Sequence, residues 1–297
     1  MSRFPVAIIG VGNMGGAMAL NLLQLGWAVQ VCDVDAAKVQ PLVPMGAVAC
    51  ASPAQAALGA VAVIVCVVDA SQCEAVLFDA QGLASVMQPG QVVLLCPTLA
   101  PQDVESFAQR LVERGHSLLD APMSGGPIRA RDGSMSLMVA GEEAVFTRMV
   151  PLLSALSNQV FRISARVGDG ARTKLVNNLA AGINLVAAAE VLALAQAMGL
   201  DMGATLNVIE QSSGQSWIGS DRMRRAIAGD LAPRAHMTLL EKDTRLAIEA
   251  AQTAGFEGPL GAAARDVFAQ ASAGGMAKLD DAALLPWLRR KVTPLSS

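Results

Sequence analysis

The chain has 297 residues, 53% of them hydrophobic, with 22 basic and 25 acidic side chains and a net charge of −3. So much apolar material at so low a charge excludes intrinsic disorder, and a slightly acidic chain without Lys/Arg blocks offers no footprint for a phosphate backbone, so no nucleic-acid partner is expected. The length suggests two domains.

The longest apolar run, Ala60 to Val68, is far shorter than the ~20 residues that span a bilayer. Asn177, Asn178, Asn184 and Glu190 interrupt the apolar stretch after Lys174. No charged segment followed by a cleavable apolar run opens the chain, so no membrane partner and a cytoplasmic location are expected. The five cysteines, Cys32, Cys50, Cys66, Cys73 and Cys96, contain no C-x-x-C pair, which suits reduced core thiols better than disulfides or a zinc site. No metal is expected.

From Phe4 to about Ile163 short β-type runs alternate with helical patterns, which predicts a doubly wound parallel sheet with crossover helices. Val6–Ile9, Val29–Cys32, Val61–Val67, Val92–Cys96 and Ser117–Leu119 are the clearest strands, with two more at Met135–Val139 and Val160–Ile163. Their near-continuous apolar character fits strands buried on both faces. After Gly168-Asp169-Gly170 one long helix is expected from Ala171 to Met198, with Leu175, Leu179, Ile183 and Val186 on one face and Gly199 as its stop. Shorter helices should follow: one capped by Asp201 through Glu210, one from Ser220 or Asp221 to Gly229, Met237–Ala254, and two near Ala262–Ala273 and Asp281–Arg290. The expected architecture is an α/β Rossmann domain over residues 1–165 and an all-α domain over 166–297.

Three segments carry chemistry. Gly10-Val11-Gly12-Asn13-Met14-Gly15 follows the first strand and opens a helix, the context a dinucleotide turn requires. Gly10 permits the turn, Gly12 admits a pyrophosphate to the backbone, and Gly15 lets helix and strand pack closely. Asp33, at the end of the second strand, can accept hydrogen bonds from an adenosine ribose, which favours NAD over NADP. Asp120-Ala121-Pro122-Met123-Ser124-Gly125-Gly126-Pro127 follows the strand ending at Leu119; its glycines and Ser could hold a carboxylate, or it could equally be a strand-to-loop corner. At the entrance to the long helix, Lys174 and Asn178 project from one face. A Lys near a helix N-terminus feels an unfavourable dipole, and burial would lower its pKa further, the conditions for an acid/base near neutral pH. Alone, the pair could be a solvated helix surface.

Together the segments resemble the β-hydroxyacid dehydrogenase family, which includes 3-hydroxyisobutyrate dehydrogenases. Its members carry G-x-G-x-M-G, D-x-P-x-S-G-G and G-x-G-x-x-x-K-x-x-x-N segments and a late Lys-Asp, here Lys242-Asp243, all present in order. The resemblance implies an oxidoreductase transferring hydride between a small β-hydroxy acid and NAD. It implies that Lys174 is the acid/base and that Ser124, Gly125, Gly126 and Asn178 hold the substrate. It further implies cofactor contacts from Gly10, Gly12, Asn13, Met14, Gly15, Asp33, Thr98 and Lys242. The family's D-x-S-T-x-x-P segment departs here to Leu95-Cys96-Pro97-Thr98-Leu99-Ala100-Pro101, lacking the Asp and Ser.

A 6-phosphogluconate dehydrogenase-like reaction is disfavoured, because the His and Glu that flank the Asn in that group are Asn177 and Ala181 here. A non-catalytic dinucleotide sensor on the same fold is the other alternative. The alanine-rich second half suggests a homodimer or homotetramer. His116 and His236 are expected at surface or capping positions, Glu142-Glu143 and Asp280-Asp281 at helix starts, and Arg222, Arg224 and Arg225 on a solvated face. Trp217 is expected either in the core or facing substrate.

Overall fold

A computed structural model describes residues 3–290. The chain divides into two compact units, Met1–Lys174 and Leu175–Ser297.

The first unit holds a nine-stranded sheet: β1 Val6–Ile9, β2 Val29–Cys32, β3 Val48–Ala49, β4 Ala62–Val65, β5 Val92–Leu95, β6 Ser117–Asp120, β7 Met123–Ser124, β8 Ser136–Ala140 and β9 Gln159–Ser164. The strand order is β3-β2-β1-β4-β5-β6-β8-β7, with β9 on β8. Every residue of β1, β4 and β5 is buried. Successive side chains alternate between two cores: Val6, Ile8, Ala62, Ile64, Val92 and Leu94 face one, and Ala7, Ile9, Val63, Val65, Val93 and Leu95 the other. That is why these strands read as continuous apolar runs.

The sequence pattern missed β3 and β7. Each has two residues, exposed in β3 and half-buried in β7, too few for a periodicity. Nor is the sheet wholly parallel, because β8 runs antiparallel to β6 and β7. Side-chain caps mark several helix starts: Ser52 accepts from the Gln55 amide at 3.1 Å and Asp69 from Gln72 at 2.9 Å. His116 is buried, not at the surface as expected; it immediately precedes β6, and burial lowers its pKa. Cys32, Cys73 and Cys96 are buried, and Cys50 and Cys66 half-buried, all free. Burial pushes the thiols of Cys32 and Cys66 up to about 11 and about 12.

The long helix runs Asp169–Ala197. Its buried line is Leu175, Asn178, Gly182, Leu185, Ala189 and Leu192, rotated from the expected Leu175–Leu179–Ile183–Val186 face. Gly182 explains the rotation, since a Cβ there would lie 2.7 Å from Thr244 Cγ2 and 3.3 Å from Phe268 Cε2, a close approach that favours glycine. Leu179 and Ile183 instead line an apolar cavity of about 290 Å³ with Ile248, Phe256 and Leu260. By length and composition this helix could cross a membrane; Leu185, Ala189 and Leu192 belong to the core of the second unit, whereas Val176, Val191 and Leu194 are exposed.

Among the described residues the second unit has no strand. Its helices are Met202–Glu210, Trp217–Ile227, Met237–Thr253, Pro259–Ala271 and Leu284–Arg289, the last preceded by a short 3₁₀ turn at Asp281–Ala283. Asp201 caps the first through the Ala204 amide at 2.7 Å. The second begins at Trp217, earlier than expected, because Ser216 caps it through the Gly219 amide; Trp217 itself is 56% exposed. The arginines of that helix are not a solvated face. Arg225 is buried and donates to the fully buried Asp280, and Arg222 Nε meets Asp281 Oδ1 at 2.5 Å; Arg224 alone of the three is exposed, paired with Glu210. Asp280 does start the 3₁₀ turn, accepting from the Ala282 amide at 3.0 Å, but it also answers a buried arginine, which no local pattern announces.

Candidate active site

The parallel strands place the sequence motifs on one edge. Ile9 is in register with Cys32 and Val65, Val65 with Leu95, and Leu95 with Asp120. Gly10, Asp33, Thr98 and Asp120 therefore all stand at the C-terminal edge of neighbouring strands. The order reverses at β1, flanked by β2 and β4, and an open α/β sheet binds its ligand at such a switch point.

Gly10, at φ +87°, closes the turn against β4: a Cβ there would sit 2.5 Å from the Cys66 carbonyl oxygen. Gly15 packs its helix on the turn, where a Cβ would meet the Gly10 carbonyl oxygen at 1.9 Å. Gly12 has nothing within 4 Å of its Cβ position. The helix Asn13–Gln24 begins there without a side-chain cap and without an acidic residue in its first turn, so its first amides suit an anion. Asn13 is exposed and Met14 half-buried. This open, uncapped cradle fits the pyrophosphate of a dinucleotide.

Asp33 Oδ2 accepts from the Val11 amide at 2.8 Å and Oδ1 from the Asp35 amide at 2.9 Å. The carboxylate thus joins the end of β2 to the glycine turn, and Lys38 Nζ stands 3.9 Å from it. Thr98 is half-buried beyond β5.

Ser124 ends β7, paired with Ser136 of β8. Gly125 and Gly126 follow with φ of +131° and +75°, a backbone region that favours glycine. The second motif meets the third through Asp120. Its carboxylate is 1% exposed, and Oδ2 accepts from the Gly168 and Ala171 amides at 2.9 Å each. Burial pushes its pKa up to about 6, against the opposing pull of the Ala171, Gly168 and Gly170 amides. Asp120 therefore fixes the start of the helix that carries Lys174, which is 7% exposed.

In the second unit Asn178 is also 7% exposed and donates through Nδ2 to Asp243 Oδ2 at 2.5 Å, while its Oδ1 accepts from Asn177 Nδ2 at 3.0 Å. Lys242 Nζ lies 3.3 Å from Asp243 Oδ1. Among the described residues no group of three His, Cys, Asp or Glu could hold a metal ion.

Sequence reasoning assigned no role to Asp120 or Asp243. Both were inside quoted motifs, and Asp243 carries a further signal: it lies on the buried stripe Met237, Leu240, Thr244 and Ala247 of its helix, where a carboxylate is out of place unless it has a partner.

Comparison with known proteins agrees with this geometry. Residues 5–164 match the model of the NAD binding domain of 6-phosphogluconate dehydrogenase, and residues 168–288 that of the NAD-binding domain of NADP-dependent 3-hydroxyisobutyrate dehydrogenase. The chain is 38% identical to an L-threonate dehydrogenase of Cupriavidus necator, over 96% of each. It is 35% identical to a 3-hydroxyisobutyrate dehydrogenase of Pseudomonas aeruginosa, over 89% of this chain and 90% of that one. A crystal structure of a 3-hydroxyisobutyrate dehydrogenase from Salmonella typhimurium superposes with a TM-score of 0.90 at 35% identity, covering 96% of this chain and 100% of that one. The chain belongs to the β-hydroxyacid dehydrogenase family. It is an oxidoreductase that uses a nicotinamide dinucleotide.

Proposed function

We propose that the protein oxidises the carbinol of a small β-hydroxy acid, or reduces the matching carbonyl, with NAD as the preferred cofactor and Lys174 as the acid/base. The observation that carries this reading is the burial of Lys174 and Asn178 one turn apart on a single helix, whose start is fixed by Asp120. The bound dinucleotide supplies the hydride acceptor. Lys174 Nζ, in its neutral form, takes the proton of the substrate hydroxyl as the carbinol carbon loses its hydride, and returns it in the reverse direction. Ser124 with the Gly125 and Gly126 amides holds the substrate carboxylate, and the Asn178 amide orients the hydroxyl. Thr98 and Lys242 are assigned to the nicotinamide side.

Preference for NAD follows from Asp33. Its carboxylate is held at the end of β2 by two backbone amides and is followed by Val34 and Asp35, with no arginine to answer a 2′-phosphate. Lys38 already faces both acids, at 3.9 and 4.0 Å. The kcat/KM ratio for the two cofactors checks this; NADP used equally well would refute it.

The L-threonate dehydrogenases among the relatives make aldonates a fitting first substrate class. The experiment is a screen of L-threonate, 3-hydroxyisobutyrate, glycerate, serine and tartronate semialdehyde, read at the nicotinamide absorbance, followed by Lys174→Ala. Loss of turnover by ~10²–10⁴ with NAD affinity intact is expected. Near-wild-type kcat in K174A would overturn the mechanism.

A further inference from the structure

We propose that Asp243 is a positioning residue: it sets which end of the Asn178 amide is presented to the substrate. The inference rests on the assignment of Asn178 made above. The structure holds that amide at both ends. Nδ2 donates to Asp243 Oδ2 at 2.5 Å, and Oδ1 accepts from Asn177 Nδ2 at 3.0 Å. A carboxylate only accepts, so the nitrogen of Asn178 must face Asp243; the flipped amide would set its carbonyl against a buried anion. Asn178 and Asp243 are each 7% exposed, so water does not replace the bond cheaply.

Both residues occupy apolar stripes of their helices, Asn178 between Leu175 and Gly182 and Asp243 between Leu240 and Ala247. Packing alone would favour leucine or alanine at either position, and a buried carboxylate there costs stability unless its partners answer it. Its second oxygen, Oδ1, is 3.3 Å from Lys242 Nζ but is not aligned as a hydrogen bond, whereas Oδ2 accepts the Asn178 N–H. With one N–H held by Asp243 and the carbonyl taken up by Asn177, the planar amide of Asn178 has its second N–H direction set as well. Asp243 thereby fixes the donor and acceptor directions that discriminate a hydroxyl from a carbonyl oxygen at the reacting carbon.

The test is a double-mutant cycle on the full chain with N178A, Asp243→Asn and the double variant. It measures kcat and KM with L-threonate or the hydroxy acid chosen by the screen, the NAD Kd by fluorescence and the melting temperature. D243N replaces the acceptor-only head with one that can donate, so the Asn178 amide can flip. A ten- to hundredfold loss of kcat/KM is expected, with NAD Kd within about twofold, and D243N should cost no more than about twofold further in the N178A background. If D243N does not fold, Asp243→Glu takes its place in the same cycle, since it moves the acceptor by one methylene. Full kcat/KM in the Asp243 variant overturns the inference. So does a loss that multiplies with that of N178A, because Asp243 would then act through another group such as Lys242. Wild-type kinetics in N178A would remove the Asn178 assignment itself, and the inference with it.

Discussion

The carboxylate of Asp120 accepts the backbone N–H of Ala171 at 2.9 Å, and the same oxygen accepts that of Gly168. Through this one atom the last parallel strand before the Ser-Gly-Gly segment is tied to the first turn of the helix bearing Lys174. Asp120→Ala leaves the buried amides of Gly168 and Ala171 without this acceptor, and a loss of ~1–3 kcal/mol is expected, with a fall in kcat as the Lys174 turn loosens. Asp120→Asn retains one carbonyl oxygen for both amides and should keep kcat close to wild type, with stability matched at about pH 4.5, where the raised pKa leaves Asp120 protonated. Chemical denaturation and steady-state kinetics on the two variants check this; equal losses in both would show that the charge matters rather than the acceptor.

Asp120 also carries a pH signature. Burial raises its pKa from 3.8 to about 6 in the folded protein. A carboxyl raised on folding contributes stability that is fully present below pH 4 and is lost as pH climbs through 6. The stability of the wild type relative to D120N should therefore decline between pH 4 and pH 7, by up to ~3 kcal/mol. Denaturation of both proteins at pH 4.5 and pH 7.5 measures it, and a difference that grows with pH would contradict the assignment.

The glycine turn separates folding from binding. At Gly15 an added Cβ would meet the Gly10 carbonyl oxygen at 1.9 Å, whereas at Gly12 it meets nothing within 4 Å. Gly15→Ala should cost ~1–3 kcal/mol by forcing helix and turn apart. Gly12→Ala should fold within ~0.5 kcal/mol of wild type yet bind NAD at least tenfold more weakly, since its methyl group occupies the approach of the pyrophosphate. Thermal melts beside fluorescence titration distinguish the two.

The second unit depends on charge inside its core. Asp280, fully buried, accepts from Arg225 and from the Arg234, Ala235 and Ala282 amides. Burial alone would raise its pKa, but those amides hold it below the ordinary carboxylate value. Arg225→Met should cost ~3–5 kcal/mol, because Asp280 keeps its charge and loses its cation. Arg224→Ala, at an exposed pair with Glu210, should change stability by ~0–1 kcal/mol. Comparable melting temperatures for the two variants would show that the buried pair carries no special weight.

The sequence by itself determined whatever depends on local order. Strands buried on both faces must be apolar throughout, so β1 and β5 were legible almost to the residue. The dinucleotide turn was legible too, because a strand, three glycines at fixed spacing and a helix leave the backbone little choice. What only the tertiary structure decided are the pairings of residues distant in sequence: Asp120 with the amides of Gly168 and Ala171, Asn178 with Asp243, and Arg225 with Asp280. Periodicity assigned the long helix a face one position off, because Gly182 is invisible to a hydrophobic count yet decides where Thr244 and Phe268 can approach. The arginines after Trp217 read as solvated for the same reason. A charge is buried only when a partner from elsewhere in the chain makes burial affordable, and that partner is set by packing, which acts on distance in space and not on distance along the chain.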